Sequence, residues 1–216
     1  EMMNNPITEG SIFRNEWIKW CNPLPLDKYD RLVCYCDPSF KSSGKNDYKA
    51  IKLWGKTGTD LHHLAAFVRQ CSVAEMVRWF YDIYEKITAA GAVCNYYIES
   101  NFLQSILLDE FTREGNLRGY QLPITGDSRK KPDKFQRIEA ISPLWERGFV
   151  YYNKRMVDDP DMRVGIDQLL SMEHGMTGHD DAPDADEGAI FILQQMSRTE
   201  SFKPSYGRRK SSKYSW

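Results

Sequence analysis

The sequence predicts a mixed α/β fold, a central sheet flanked by helices, on three observations. Short apolar runs of strand length recur along the chain, and two of them stop at an acidic residue, Asp37 and Glu99. A long segment after Ser72 carries its apolar residues at helical spacing. The order is strand, strand, strand, helix, strand, helix, then further αβ units, the alternation of a layered α/β domain.

Residues 1–29 contain Asn5-Pro6 and Asn22-Pro23-Leu24-Pro25 together with Phe13, Trp17 and Trp20, and read as an arm lying on the domain or a linker into it. The domain itself is expected over 30–200. Residues 31–36 form a short apolar run that stops at Asp37-Pro38, and the Ser/Gly/Lys/Asn-rich stretch 41–47 is a loop. Strands are expected over 48–54 and 60–68, completing an antiparallel meander. From Ser72 the apolar residues Val73, Met76, Val77, Phe80, Ile83, Tyr84 and Ile87 mark a helix, with Ser72 and Glu75 spaced as a capping box and Gly91 as its end. The aromatic stripe Trp79, Phe80, Tyr81 and Tyr84 fits the packed face of that helix better than a base-stacking platform. A strand over 92–98 then leads to Glu99. Further expectations are a helix over 102–113, a strand over 117–124, a helix over 132–147 ended by Gly148, a strand over 149–152, and helices over 160–171 and 184–197. The tail 201–216 is basic (Arg208, Arg209, Lys210, Lys213), interleaved with Tyr206, Tyr214 and Trp216, and is expected to be flexible.

At 216 residues, 41% apolar and 27% charged, the chain suits one globular domain with its own core. The net charge of −1 gives no global pull toward a polyanion, so contact with nucleic acid would depend on where the basic residues sit. Five cysteines, odd in number and without a C-x-x-C pair, argue against a zinc site or a disulfide framework. Cys34 and Cys36 would share one face of a strand as buried free thiols. No stretch approaches the roughly 20 apolar residues of a membrane span, and no secretory signal is evident, so a soluble intracellular protein is expected.

Acidic residues at two strand ends and near the start of a late helix form a constellation drawn from distant segments. Asp37, Glu99 and the run His179-Asp180-Asp181-Ala182-Pro183-Asp184 would together offer hard oxygen ligands to Mg²⁺ or Mn²⁺, which prefer carboxylates over thiolates or imidazoles. Two such ions about 3.5–4 Å apart can activate water and neutralise charge in phosphodiester hydrolysis. Each position also has a plainer use: Asp before Pro as a turn residue, Glu99-Ser100-Asn101 as a helix start, and 180–187 as an acidic loop. His179 would assist proton transfer or cap the last helix, and His62 and His63 read as structural or surface residues. His174 carries no assignment. Lys41 and Lys45, beside Asp37, and the basic run Lys130, Lys131, Lys134 and Arg137 are candidates for phosphate contact, with a solvated helix face as the alternative for the latter.

Taken in order, Asp37-Pro38 with a Gly/Lys loop and Asp47, Ile98-Glu99-Ser100-Asn101, and His179-Asp180-Asp181-Ala182-Pro183-Asp184-Ala185 resemble the C-terminal nuclease domain of the large terminase subunit of tailed bacteriophages. Asn5-Pro6 through Phe13, Lys134-Phe135-Gln136-Arg137-Ile138, and Ile141-Ser142-Pro143-Leu144-Trp145 with Gly148 are similar to further stretches of that family, so the resemblance runs from about residue 5 to 197. It implies a ribonuclease H-like fold and a metal-dependent endonuclease that cuts concatemeric double-stranded DNA during genome packaging in the cytoplasm of an infected or lysogenic bacterium. It further implies Asp37 and Glu99 as metal ligands, with a third among Asp180, Asp181 and Asp184, the last two ranked ahead. Asp47 would be an outer residue or simply begin the second strand. Partners implied are double-stranded DNA, portal protein, a small terminase subunit and an upstream ATPase domain. The chain departs from a full large terminase in having no G-x-x-x-x-G-K-[ST] run, so a separated domain with nuclease but no ATPase activity is expected. Two other classes compete. One is a ribonuclease H-like resolvase or strand-transfer enzyme, which would prefer branched or transposon-end substrates. The other is a non-catalytic DNA- or portal-binding packaging module, which would show neither metal nor cleavage.

Overall fold

A computed structural model describes residues 12–38, 48–99, 105–175 and 178–195. Lys41, Lys45, Asp47 and the basic tail lie outside the described residues. The strands are β1 (Trp20–Cys21), β2 (Arg31–Asp37), β3 (Lys49–Thr57), β4 (Asp60–Arg69), β5 (Asn95–Glu99), β6 (Ile124–Asp127) and β7 (Val150–Asn153). The helices are α1 (Val73–Ala89), α2 (Ser105–Arg118), α3 (Lys134–Glu146), α4 (Pro160–Leu170) and α5 (Asp181–Gln195). None of the described helices is long and apolar enough to cross a membrane.

The strands form one mixed sheet in the order β1-β7-β4-β3-β2-β5-β6. The meander β2-β3-β4 is antiparallel, while β5 joins β2, β6 joins β5 and β7 joins β4 in parallel. Strand alternation divides the side chains between two cores. Leu32, Cys34, Cys36, Ile51, Leu53, Tyr96 and Ile98 face α1 and α2. Val33, Tyr35, Ala50 and Trp54 face α3, α4 and α5. Between Leu53 and Trp54 the register with β4 shifts, a β-bulge that turns Leu64 and Ala65 to the α1 side and returns Ala66 and Val68 to the α5 side.

Local signals explain several element ends. Ser72 Oγ accepts from the Glu75 amide at 3.1 Å, while the Glu75 carboxylate turns to Arg69 at 3.6 Å instead of closing the box. Gly91 and Gly148 follow α1 and α3 at φ 69° and 77°, a backbone region that favours glycine. Phe80 and Tyr81 are buried and Trp79 and Tyr84 pack on the same core, so the aromatic stripe is packing. Cys34 and Cys36 are buried free thiols.

Three expectations shift. The stretch 117–124 is not a strand: α2 continues to Arg118, Gly119 turns the chain at φ 80°, and the strand begins at Ile124. Phe111 packing under α1 and Arg118 bridging to Asp82 and Glu85 on that helix extend α2 beyond its apolar pattern. The strand before Glu99 starts at Asn95 and takes in Glu99 itself. Helix α5 starts at Asp181, so the acidic run is its first turn. Within the arm, Phe13 is buried against Trp145 at 5.1 Å between ring centroids, and β1 pairs in parallel with β7 at one sheet edge.

Candidate metal centre

Asp37 ends β2 and Glu99 ends β5. The register Cys36 with Ile98 leaves these two carboxylates as neighbours at the same end of parallel strands. Both continue the α5-facing alternation, Asp37 after Val33 and Tyr35, Glu99 after Tyr97. Helix α5 lies over them because its inner surface is small: Ala182, Ala185, Gly188 and Ala189 face the sheet. At Gly188 an added Cβ would stand 2.4 Å from the Tyr35 ring. That close approach brings Asp184, in the first turn of α5, onto the strand ends. Ligand oxygens of Asp37, Glu99 and Asp184 lie within 4.8 Å of one another, and all three residues are buried.

Asp180 and Asp181 fall outside that trio. Asp180 accepts a 2.8 Å hydrogen bond from Lys134, and Asp181 is buried close enough to disfavour ionisation of Asp37. His179 is exposed beside them, 4.0 Å from Asp181 and edge-on to Tyr48 at 4.7 Å. The basic run does not form a free surface. Lys131 Nζ sits 3.1 Å from Glu99, Lys134 also reaches Asp184 at 3.3 Å, and Arg137 bonds Asp184 at 2.9 Å and also Glu187. Lys130 alone of the four is exposed, with no ion pair among the described residues. His63 is fully buried and stacked on Trp54 at 4.7 Å, His62 bonds Tyr29 at 2.9 Å, and His174 is exposed against Phe135.

Burial, reinforced by Asp184, Glu99 and Asp181 and opposed by Lys134, pushes the Asp37 carboxyl up to about 8. Burial acts on Asp184 in the same direction, but Lys134, Lys131 and Arg137 outweigh it and hold that carboxyl below its ordinary range. One member of the trio thus tends to hold a proton while another is kept ionised by its cations.

Two polar networks escaped the sequence reading. Asp127, register partner of Glu99, accepts from Tyr35 at 2.7 Å and from Arg129 at 2.9 Å, and Arg129 forks onto both oxygens of Glu187. Reading 124–127 as the strand would have exposed Asp127 as a strand-end acid; Glu187 is one helical turn from Asp184. On the far side of α5, Asp186 lies about 200° around the axis from Asp184. It pairs with Lys52 at 3.3 Å and accepts from Trp54 Nε1 at 2.9 Å, all deeply buried. A lysine at the centre of an apolar strand gives no such warning in sequence.

A mixed sheet in this strand order has a ribonuclease H-like fold, here with carboxylates from two strand ends and a covering helix. The particular folds it matches are terminase nuclease domains. The human cytomegalovirus terminase nuclease domain superposes with a TM-score of 0.59 at 14% identity, over 83% of this chain and 94% of that one. The large terminase nuclease from thermophilic phage G20c gives 0.53 at 15% identity, over 84% and 98%. The large terminase of another thermophilic bacteriophage gives 0.54 at 12% identity over 84% of this chain, which spans 43% of that protein. The cytomegalovirus domain has also been solved soaked with Mn. No protein-family model and no curated protein matches the chain.

Proposed function

We propose that this chain is the nuclease domain of a viral large terminase, a divalent-metal-dependent endonuclease that cuts double-stranded DNA as genomes are packaged. The observation that carries the reading is the meeting of Asp37, Glu99 and Asp184, distant in sequence, on a sheet with the terminase nuclease fold. The site suits a divalent cation: its donors are all carboxylate oxygens, clustered and buried, and balanced by lysine and arginine. Asp37, Glu99 and Asp184 would hold Mg²⁺ or Mn²⁺, with Asp180 and Asp181 beside them. Bound there, the cation would supply water activation and charge neutralisation at a phosphodiester.

The chain's own residues do the rest. Strand ends and the first turn of α5 hold the carboxylates rigidly, and the helix dipole favours negative charge at Asp181 and Asp184. Lys41 and Lys45 follow Asp37 in the chain, and we assign them to contact with a DNA phosphate. His179, exposed at the rim, is the group we assign to proton exchange. Portal protein, a small terminase subunit and an ATPase domain on the same polypeptide are the partners of this reading, in the cytoplasm of the bacterial host.

Plasmid cleavage with Mn²⁺ tests it. Asp37→Ala, Glu99→Ala and Asp184→Ala should each lower the cleavage rate by at least about a hundredfold, the scale of losing a group that organises transition-state charge. Full cleavage by the Asp37 and Glu99 variants would overturn the assignment.

A further inference from the structure

The side chains that balance the acidic centre are of two kinds. Arg129 and Arg137 are fixed: Arg129 forks onto Glu187 with two 2.9 Å bonds and holds Asp127, and Arg137 ties Asp184 to Glu187. The Arg129 fork ties α5 to the segment between β6 and α3, and Arg137 ties α5 to α3 itself. Lys131 and Lys134 are held differently. Lys131 Nζ is within ion-pair reach of Glu99 at 3.1 Å but makes no aligned hydrogen bond among the described residues. Lys134 divides its ammonium between Asp180 at 2.8 Å and Asp184 at 3.3 Å, and its side chain is one-third exposed. Both point charges ride on flexible stems, and their backbone is pinned on either side. Arg129 anchors one side, and the Asp133 cap of α3, which accepts from the Gln136 amide at 3.1 Å, holds the other.

Glu99 and Asp184 are two of the three carboxylates a divalent cation would use. An ammonium and a divalent cation held on the same carboxylate repel one another and divide its charge, so each weakens the hold of the other. We propose that Lys131 and Lys134 are tethered counter-ions that compete with the divalent cation for Glu99 and Asp184, and that cation binding transfers their ammonium groups to a phosphate of the DNA. The identity of the phosphate rests on the nuclease reading, whereas the competition follows from geometry alone. Cation and duplex binding become mutually reinforcing, because the charge expelled from the carboxylates is delivered where the polyanion lies.

The test is Mn²⁺ affinity of the full chain at constant pH and ionic strength, read from the resonance signal of free Mn²⁺. Lys131→Gln and Lys134→Gln should each bind Mn²⁺ about three- to tenfold more tightly, since a competing charge is gone. Lys131→Arg keeps the charge but grips a carboxylate with a fork, and should bind Mn²⁺ more weakly. Lys130→Gln, a neighbouring exposed charge, should leave Mn²⁺ affinity unchanged. Binding of a short duplex in Ca²⁺ should weaken in both Gln variants, with the salt slope smaller by about one per lysine. Equal Mn²⁺ affinity in the parent and all Lys131 and Lys134 variants would overturn the proposal. So would Lys130→Gln matching Lys131→Gln, which would reveal general electrostatics instead of competition. Absence of Mn²⁺ binding in parent and variants alike overturns it together with the metal centre. Lysine-dependent Mn²⁺ affinity without DNA cleavage would instead sink the nuclease reading and leave the competition standing.

Discussion

At the scale of single residues, Asp37 carries the clearest consequence. Burial and the surrounding carboxylates hold its proton up to about 8, and a cation bound at its oxygens must release that proton. A carboxyl raised in the folded state favours folding in its protonated form. Its contribution is therefore present at low pH and lost as pH rises toward the folded value. Cation binding supplies the missing positive charge. The stabilisation of the chain by Mg²⁺ or Mn²⁺, measured as a shift in melting temperature, should accordingly grow between about pH 6 and about pH 8.5. A shift of the same size at both ends of that window would contradict the role given to Asp37. Asp184 would not produce this trend, because Lys134, Lys131 and Arg137 keep it ionised throughout.

Among the elements, α5 does the positioning. Gly188 lets it settle against Tyr35, so Gly188→Ala should cost about 1–3 kcal/mol through overpacking. The variant should also bind Mn²⁺ less well, since lifting the helix moves Asp184 from the strand ends; denaturant melts and Mn²⁺ titration read the two effects. Intact stability with intact Mn²⁺ binding would mean that α5 has room the structure denies it. The other anchor is the buried pair below. Lys52→Met leaves Asp186 in the core without its counter-ion, where burial already pushes its carboxyl up, and should cost about 3–5 kcal/mol. Adding Asp186→Asn, which keeps an acceptor for Trp54 Nε1, should restore more than half of that loss. A Lys52→Met variant as stable as the parent would show that the pair is dispensable. At the start of α1, Ser72→Ala removes one exposed cap and should cost about 1 kcal/mol, leaving Mn²⁺ binding untouched, because that helix packs on the opposite face of the sheet.

For the whole molecule, the sheet order brings five strand termini to one edge: the ends of β2, β4, β5 and β6 and the start of β3. Asp37, Glu99 and Asp127 stand on that edge, with Arg69 and Lys49 further along it. Arg69 is committed to Asp161 of α4 through three hydrogen bonds of 2.8–3.0 Å, which joins the edge to the helical layer. The acidic centre therefore sits where the sheet edge meets the layer of α3, α4 and α5, its described neighbours packed or ion-paired. Activity should follow the fold closely as a result: cleavage with Mn²⁺ should disappear in the same cooperative transition as near-ultraviolet circular dichroism on heating. Activity lost well before that transition would point to a separately melting centre.

The sequence alone determined the elements whose signals are local. Apolar runs ending at Asp37 and Glu99, the Ser72 cap and the glycine stops all act within a few residues, so composition and spacing reveal them. The acidic constellation was legible for the same reason, as was the packing role of Trp79, Phe80, Tyr81 and Tyr84. Only the tertiary structure decided which acid completes the trio. Asp180, Asp181 and Asp184 are chemically alike, and the choice of Asp184 follows from how closely α5 lies on Tyr35 at Gly188. It also decided that Lys131, Lys134 and Arg137 turn inward, because like charges crowded at strand ends draw in the nearest cations, wherever those lie in sequence. Lys52 and Asp186, far apart in the chain, pair for the same reason: a charge enters a core only with its partner, and the fold alone brings the partner near.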